Sequence, residues 1–367
     1  MSIVYFLIIL TLLVLVHECG HFFMARKMRV SVEEFGVGFP PRALGFKKGG
    51  TRYSINWIPL GGFVKIKGEQ GDHSQDPDSF VQKKIWQRSL ILCAGVLMNI
   101  VLAFILFTVG YTFGIPSATE GVGPRAIISD QRIQIVEVVA SSPAEKASLK
   151  PGDIITDVDN QHVSTISQFR QLIQPLGGKE VYLRVLRANT QLSFALTPVA
   201  DSSGKGIIGA GLYETGVVRY PFFSAFWEGA KTTGIVFWQI LVAVYTLVRN
   251  LFIGHAVQLD VAGPVGIAVL TGQVARLGFI YLLQFAALLS LNLAFINILP
   301  FPALDGGRLF FLLIEKLRRK PVSRKVESII HNVGFALLMV LVLLVTIKDV
   351  TRLSGAISSF VKGVFGT

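Results

Sequence analysis

Residues 17–21 read His17-Glu18-Cys19-Gly20-His21, an H-E-x-x-H spacing. On a helix, positions i and i+4 share a face, so both imidazoles can reach one metal ion. Glu18 stands one step round from His17, placed to take a proton from a metal-bound water. Zinc lowers the pKa of that water towards ~7, which makes hydroxide available at neutral pH. Two histidines leave a catalytic zinc site incomplete, because it takes three protein ligands and an open position. The third candidate is Asp305, which closes the stretch Asn297-Ile298-Leu299-Pro300-Phe301-Pro302-Ala303-Leu304. Of the 23 acidic residues, Glu18 and Asp305 are read as the two lying within or against a hydrophobic run. The bland alternatives are a chance His-Glu pair on a polar helix face and, for Asp305, a helix cap ahead of Gly306-Gly307.

The segments that must carry these residues are apolar. The chain of 367 residues is 51% hydrophobic and 16% charged, whereas globular domains run ~25% charged. That excludes an ordinary soluble enzyme and a disordered chain. At ~150 residues per domain the length fits about two folding units. A helix crosses ~30 Å of hydrocarbon with ~20 mostly apolar residues. Four runs qualify: Ile3 to Val16 resuming at Phe22 to Ala25, Ser89 to Thr119, Gly278 to Leu304 and Ser328 to Ile347. The first lacks a basic leader and a small-residue cleavage site, so it is expected to be retained. A fifth run, Thr232 to Val248, is uncharged for 17 residues and contains Gln239, Trp238 and Tyr245. It is expected to lie at the interface as an amphipathic helix.

Charge sets the expected topology. The net charge of +12 would suit nucleic acid, but the excess sits beside hydrophobic runs and points to a lipid bilayer. Residues 25–88 hold 12 basic and 6 acidic side chains, and 306–327 hold 7 and 2; residues 114–230 hold 10 and 11. Lys/Arg-rich loops stay cytoplasmic, so the first two regions are expected inside and the third outside. His17 then lies about 22 Å along an inward-running helix, and Asp305 arrives at a similar cytoplasmic-side depth. Ionisable groups inside a membrane cost several kcal/mol, so three of them within five residues argue for a functional site.

These residues resemble the site-2 protease family of intramembrane zinc metalloproteases, in particular the bacterial regulator-of-sigma-E protease type. His17 to His21 match its first motif, and Asn297 to Gly306 match its N-x-x-P-x-P-x-L-D-G motif. The resemblance implies zinc held by His17, His21 and Asp305, with Glu18 as catalytic base. It implies endoproteolysis in or near the transmembrane segment of single-span substrates such as anti-sigma factors and remnant signal peptides. It also places the protein in a bacterial inner membrane, with the active site near the cytoplasmic side.

Further stretches fit the same family. Glu34 to Pro41 resembles its glycine-phenylalanine segment. Tyr53 to Trp57, the turn Pro59 to Gly62, and Phe63 to Ile66 carry a hairpin signature. The family has a membrane-associated β-hairpin there, and an edge strand could pair with an unwound substrate; the alternative is a hairpin that only packs the loop. Gly95 and Asn99 are spaced for helix packing, and the resemblance suggests that they, like Asn297, face the substrate cleft. Gly263 and Pro264, within Asp260 to Ile267, match a G-P-x-x-I segment read as a backbone break that admits substrate. His73, His162, His255 and His331 read as ordinary surface groups in loops or at helix ends, with an approach to the membrane interface as the alternative for His255 and His331.

Between the second and third runs, residues 120–200 resemble a PDZ domain, expected outside the cytoplasm. Ile133 to Val139 reads as a strand. Ser142-Pro143 opens a helix, and Asp159-Asn160-Gln161 makes a turn. Thr165 to Leu176 reads as a second helix and Val181 to Leu186 as another strand. Such a domain binds an extended peptide or acts as a size filter, and its ligand is not legible. Some relatives carry two PDZ domains; this chain has room for one.

The expected fold is an α-helical integral membrane protein with four transmembrane helices, a cytoplasmic β-hairpin and one extracytoplasmic PDZ domain. Helix 1 spans 1–25, the cytoplasmic loop 26–88 and helix 2 spans 89–115. After the PDZ domain comes a linker, 201–277, with the interfacial helix. Helix 3 covers 278–304, a cytoplasmic segment 305–327, and helix 4 covers 328–348. The alternative function is a catalytically inactive PDZ membrane scaffold; a transporter would need polar residues spread through several spans and repeat symmetry.

Overall fold

A computed structural model describes residues 2–69, 75–187, 190–253 and 262–365. His73, His255, Asp260 and Val261 lie outside the described residues. The amino-terminal elements are α1 (Ser2–Lys27), β1 (Val32–Lys48), β2 (Thr51–Ile66) and α2 (Ile85–Phe113). There follow β3 (Ile115–Ala118), β4 (Ile127–Val138), α3 (Pro143–Lys146), β5 (Ile154–Val158), β6 (Gln161–His162) and α4 (Ile166–Ile173). Then come β7 (Val181–Arg187), β8 (Thr190–Leu196), β9 (Val199–Ala200), β10 (Gly206–Ile207) and β11 (Ala210–Arg219). The remainder is helical: α5 (Phe222–Ile253), α6 (Pro264–Leu277), α7 (Phe279–Ile298), α8 (Asp305–Arg318) and α9 (Arg324–Phe365). The chain divides into two units, Met1–Thr108 with Glu228–Thr367, and Val109–Trp227.

In the first unit, α1, α2, α5, α7 and Lys325–Arg352 of α9 are long and apolar enough to cross a membrane. The expected runs correspond to four of them. The fifth, α5, extends over 32 residues because Lys231 and Arg249 end the uncharged run without ending the helix. Long basic side chains at such positions reach back to the interface. The third expected run stops early: α7 ends at Ile298, and Leu299 turns to extended backbone (φ −59°, ψ 140°). Pro300 and Pro302 lack the N–H that a continuing helix would use. Helix starts again at Asp305.

The Gly-Pro segment opens a helix rather than a loop. Gly263 is the N-cap of α6 and Pro264 its first residue, a position where the missing N–H costs nothing. The Asp349 carboxylate on α9 accepts from the Gly263 N–H at 3.2 Å and the Gly266 N–H at 2.7 Å. Asp349 thus joins Glu18 as an acidic group within a long apolar helix. The sequence reading missed it because Lys348 closed the uncharged run.

β1 and β2 form a two-stranded sheet that doubles back on itself. Phe35 pairs with Tyr53 on one side and Val64 on the other, and Gly36 with Ser54 and Phe63. The runs at 53–57 and 63–66 therefore flank β1 instead of pairing with each other. The 59–62 stretch lies along α1: Thr11 Oγ1 donates to the Pro59 carbonyl at 3.2 Å, Gly61 faces Val14 and Gly62 faces Leu15.

The second unit holds a sheet in the order β3-β11-β4-β5-β7-β8, with β6 paired to β5. Alternate residues of its strands, among them Ile133, Ile135, Leu183 and Val185, form a buried core with Phe169 and Ile173 of α4. Ser142 caps α3 and Thr165 caps α4 through a capping box with Gln168. Asp159 and Asn160 turn β5 into β6 with φ of 45° and 65°, a conformation those two residue types tolerate. The sheet reaches beyond 120–200 to β3 and β11, and residues 206–207 and 210–219, expected as linker, are strand. β11 fills the place beside β4, bonding along Ala210–Arg219.

Candidate metal centre

α1 and α2 touch at Gly20: a Cβ there would stand 2.3 Å from the Ala94 carbonyl oxygen. That approach brings the Ile91 carbonyl within 2.8 Å of His21 Nδ1. A carbonyl only accepts, so Nδ1 carries the proton and Nε2 keeps a lone pair. His21 Nε2 lies 3.1 Å from His17 Nε2 and 3.2 Å from Asp305 Oδ2, and His17 Nε2 lies 3.0 Å from Asp305 Oδ2. Both histidines are buried. Asp305 is the first residue of α8; the N-cap is Leu304, with no side-chain cap, so the carboxylate is free for the histidines.

Two imidazole nitrogens and a carboxylate oxygen facing one another at these distances need a proton or a cation between them. Zinc bonds of ~2.0–2.2 Å in tetrahedral array set neighbouring ligand atoms about 3.3 Å apart. The observed triangle of 3.0–3.2 Å matches that size, and its N,N,O donor set is one that zinc accepts. The residues fit the metal, and they are the one such group among the described residues.

The neighbouring side chains are close. Gly95 lies against both rings: a Cβ there would meet His21 Nε2 at 2.4 Å and His17 Cε1 at 2.7 Å. Fully buried Asn99 places its Nδ2 3.4 Å from His17 Nδ1, while its Oδ1 is buried without a partner. Ser290 of α7 donates to the Asn99 carbonyl at 2.8 Å, tying α7 to α2. Asn297 Nδ2 is 3.5 Å from His17 Nε2. Glu18 is half-buried, with the Val64 backbone N–H of β2 facing its carboxylate. Gly263 and Pro264 are not brought to this cluster; the described contacts of Gly263 are with Val345 and Asp349.

His331, read from sequence as a surface group, accepts from the Ala303 N–H through Nδ1 at 2.9 Å, and its Nε2 is buried. No local pattern announces this contact, because its partner is a backbone amide 28 residues away.

A model of peptidase family M50 matches residues 5–341. The chain belongs to peptidase family M50. Among M50 relatives, a Clostridium perfringens protein that its name assigns provisionally to the zinc metalloproteases is 36% identical over 356 residues. That match covers 95% of this chain and 98% of the relative. The regulator of sigma-W protease RasP of Bacillus subtilis is 31% identical over 439 residues, covering 96% of this chain and 99% of its own. Among solved structures, the PDZ domain of an SdrC-like protein from Listeria monocytogenes resembles 22% of this chain and 85% of that one. The identity there is 22% and the TM-score 0.21. Membership in M50 makes this a zinc metalloprotease, and its apolar helices make it a multi-pass membrane protein.

Proposed function

We propose that this M50 protein is an intramembrane zinc endopeptidase cutting single-span membrane proteins, with anti-sigma factors and remnant signal peptides as the substrate class. The observation that carries this reading is the convergence of Asp305, at the start of α8, with His17 and His21 on α1, a helix long and apolar enough for a bilayer. A relative is named regulator of sigma-W protease, which supports a substrate that controls a sigma factor. Four crossings, with the PDZ-like unit outside and the basic loops inside, follow the distribution of Lys and Arg; α5 then lies at the interface.

His17, His21 and Asp305 would hold the metal, with Glu18 as base. Zinc, when bound, acts as a Lewis acid that makes hydroxide available at neutral pH. Glu18 accepts the proton of the attacking water and returns it to the leaving amine. His21 is held in the ligating tautomer by Ile91, an outer contact of the kind that raises ligand affinity. Asn297, Asn99 and Gly95 line the substrate path on this reading, and Gly263 and Pro264 lie on its approach. Residues 62–66 form a sheet edge beside Glu18. A substrate strand pairing there would present its peptide bond to the base, since β-augmentation straightens and holds a chain.

An inactive PDZ scaffold is the second reading, and the complete ligand set with its base speaks against it. The test is cleavage of a single-span substrate in proteoliposomes, with the cut mapped by mass spectrometry. A cut within or beside the transmembrane segment, lost on chelation, supports the endopeptidase; folded, zinc-loaded protein that cuts nothing supports the scaffold.

A further inference from the structure

The third metal ligand sits at the end of an unusual piece of backbone. Between α7 and α8 the chain runs Leu299-Pro300-Phe301-Pro302-Ala303-Leu304, outside any regular helix. Ala303, two residues before Asp305, adopts φ +77°. A residue with a side chain rarely takes that conformation, and it persists where surrounding contacts over-determine it. The contact in question comes from α9. His331 Nδ1 accepts the Ala303 N–H at 2.9 Å. One turn further along α9, Gly334 seats on Pro302, where a Cβ would meet the Pro302 Cβ at 2.3 Å and its carbonyl oxygen at 2.9 Å. The Phe311 ring of α8 lies 5.5 Å from the His331 ring, tilted by 48°.

The imidazole is therefore gripped on several sides. With Nδ1 accepting, the neutral ring carries its proton on Nε2. That atom is buried, and the residue lines a cavity of about 450 Å³ together with Arg88, Arg308 and Glu315.

We infer that His331 is a positioning residue for the metal centre: by holding the Ala303 amide it fixes the turn from which Asp305 reaches His17 and His21. The inference rests on the zinc-site reading above. It also assigns α9, which contributes no ligand, a part in building the site. The hydrogen bond acts on the backbone of the ligand loop, as outer-shell partners of metal ligands do elsewhere, where their loss costs about 10–100-fold in metal affinity.

The test uses the full-length protein in detergent, with zinc affinity measured by chelator competition and the ligand field read from the visible spectrum of the cobalt form. His331→Phe keeps a ring against Phe311 and removes the acceptor; His331→Asn restores an acceptor near the Nδ1 position. The expected result is about 10–100-fold weaker zinc binding in the Phe variant, an altered cobalt spectrum, and recovery of most of both in the Asn variant. Should the Phe variant not fold by gel filtration, His331→Ala takes its place against His331→Asn. Wild-type affinity in the acceptor-less variant overturns the inference, as does equal loss in both variants, and both leave the metal centre standing. A folded wild type that binds no zinc overturns the metal-site reading and this inference with it.

Discussion

His21 Nδ1 donates to the Ile91 carbonyl at 2.8 Å, and this bond decides which ring nitrogen is left for metal. The acceptor is backbone, so its place depends on how closely α2 approaches α1 at Gly20 and Gly95. A Cβ on Gly95 would stand 2.4 Å from His21 Nε2, inside the space the ligand atoms share. Gly95→Val is expected to weaken zinc binding by at least about tenfold while the chain remains folded. Chelator competition on the purified variant checks this, and unchanged affinity would mean the two helices are farther apart than described.

Glu18 is no ligand, and its replacement separates metal binding from proton transfer. Glu18→Gln should keep about one zinc per chain and lower the cleavage rate by at least about 100-fold, since general-base catalysis contributes 10²–10⁴. Metal analysis alongside single-turnover cleavage reads both. Retained cleavage would sink the proposed mechanism.

Asn99 faces His17 on the side away from the metal ligands. When His17 offers Nε2 to a metal, its proton sits on Nδ1, so the amide has to present its oxygen there. Asn99→Leu should then weaken zinc binding about 10–100-fold, and Asn99→Asp should hold it. If both variants bind zinc like the wild type and lose only substrate affinity, the amide serves the substrate and not the histidine.

Much of this site is legible in the sequence because its signals are local. His17 and His21 share a helical face by spacing alone, whereas Pro300 and Pro302 carry the break that ends α7 at Ile298, and an uncharged run reads straight through them to Leu304. In the second unit, the Ser142 cap and the Asp159-Asn160 turn are equally local, and the structure has them where the sequence puts them. What escapes is pairing at a distance. Nothing near Phe35 says that it will have partners on both sides, and nothing near His331 names Ala303. Asp349 escapes for a different reason: the charge of Lys348 ends a hydropathy run, although the helix goes on.

In the second unit, Asp153 supplies a pH dependence. Its side chain is 1% exposed; it receives Arg187 Nε at 2.6 Å, Arg187 Nη2 at 2.7 Å and the Lys150 N–H at 2.9 Å. Burial pushes its carboxyl up, but the Arg187 and Lys150 hydrogen bonds outweigh that and hold it below the usual carboxylate value. A lowered folded-state pKa means the stabilisation is complete above the unfolded value, about 3.9, and is lost as pH falls through the folded value. Hydrogen-exchange protection of the Ile135 and Gly152 amides, corrected for intrinsic rate, should fall over that acid range in wild type. In Asp153→Asn it should be lower at neutral pH and flatter with acid; parallel curves would show the ion pair to be inert.

The composite site is tested most directly by zinc content and cleavage of a model single-span substrate, measured together in detergent for wild type and Asp305→Ala. The expected result is about one zinc per wild-type chain with specific cleavage, both lost in the folded variant. Zinc retained by Asp305→Ala at wild-type affinity would contradict the assignment of the third ligand and, with it, the centre built from α1 and α8.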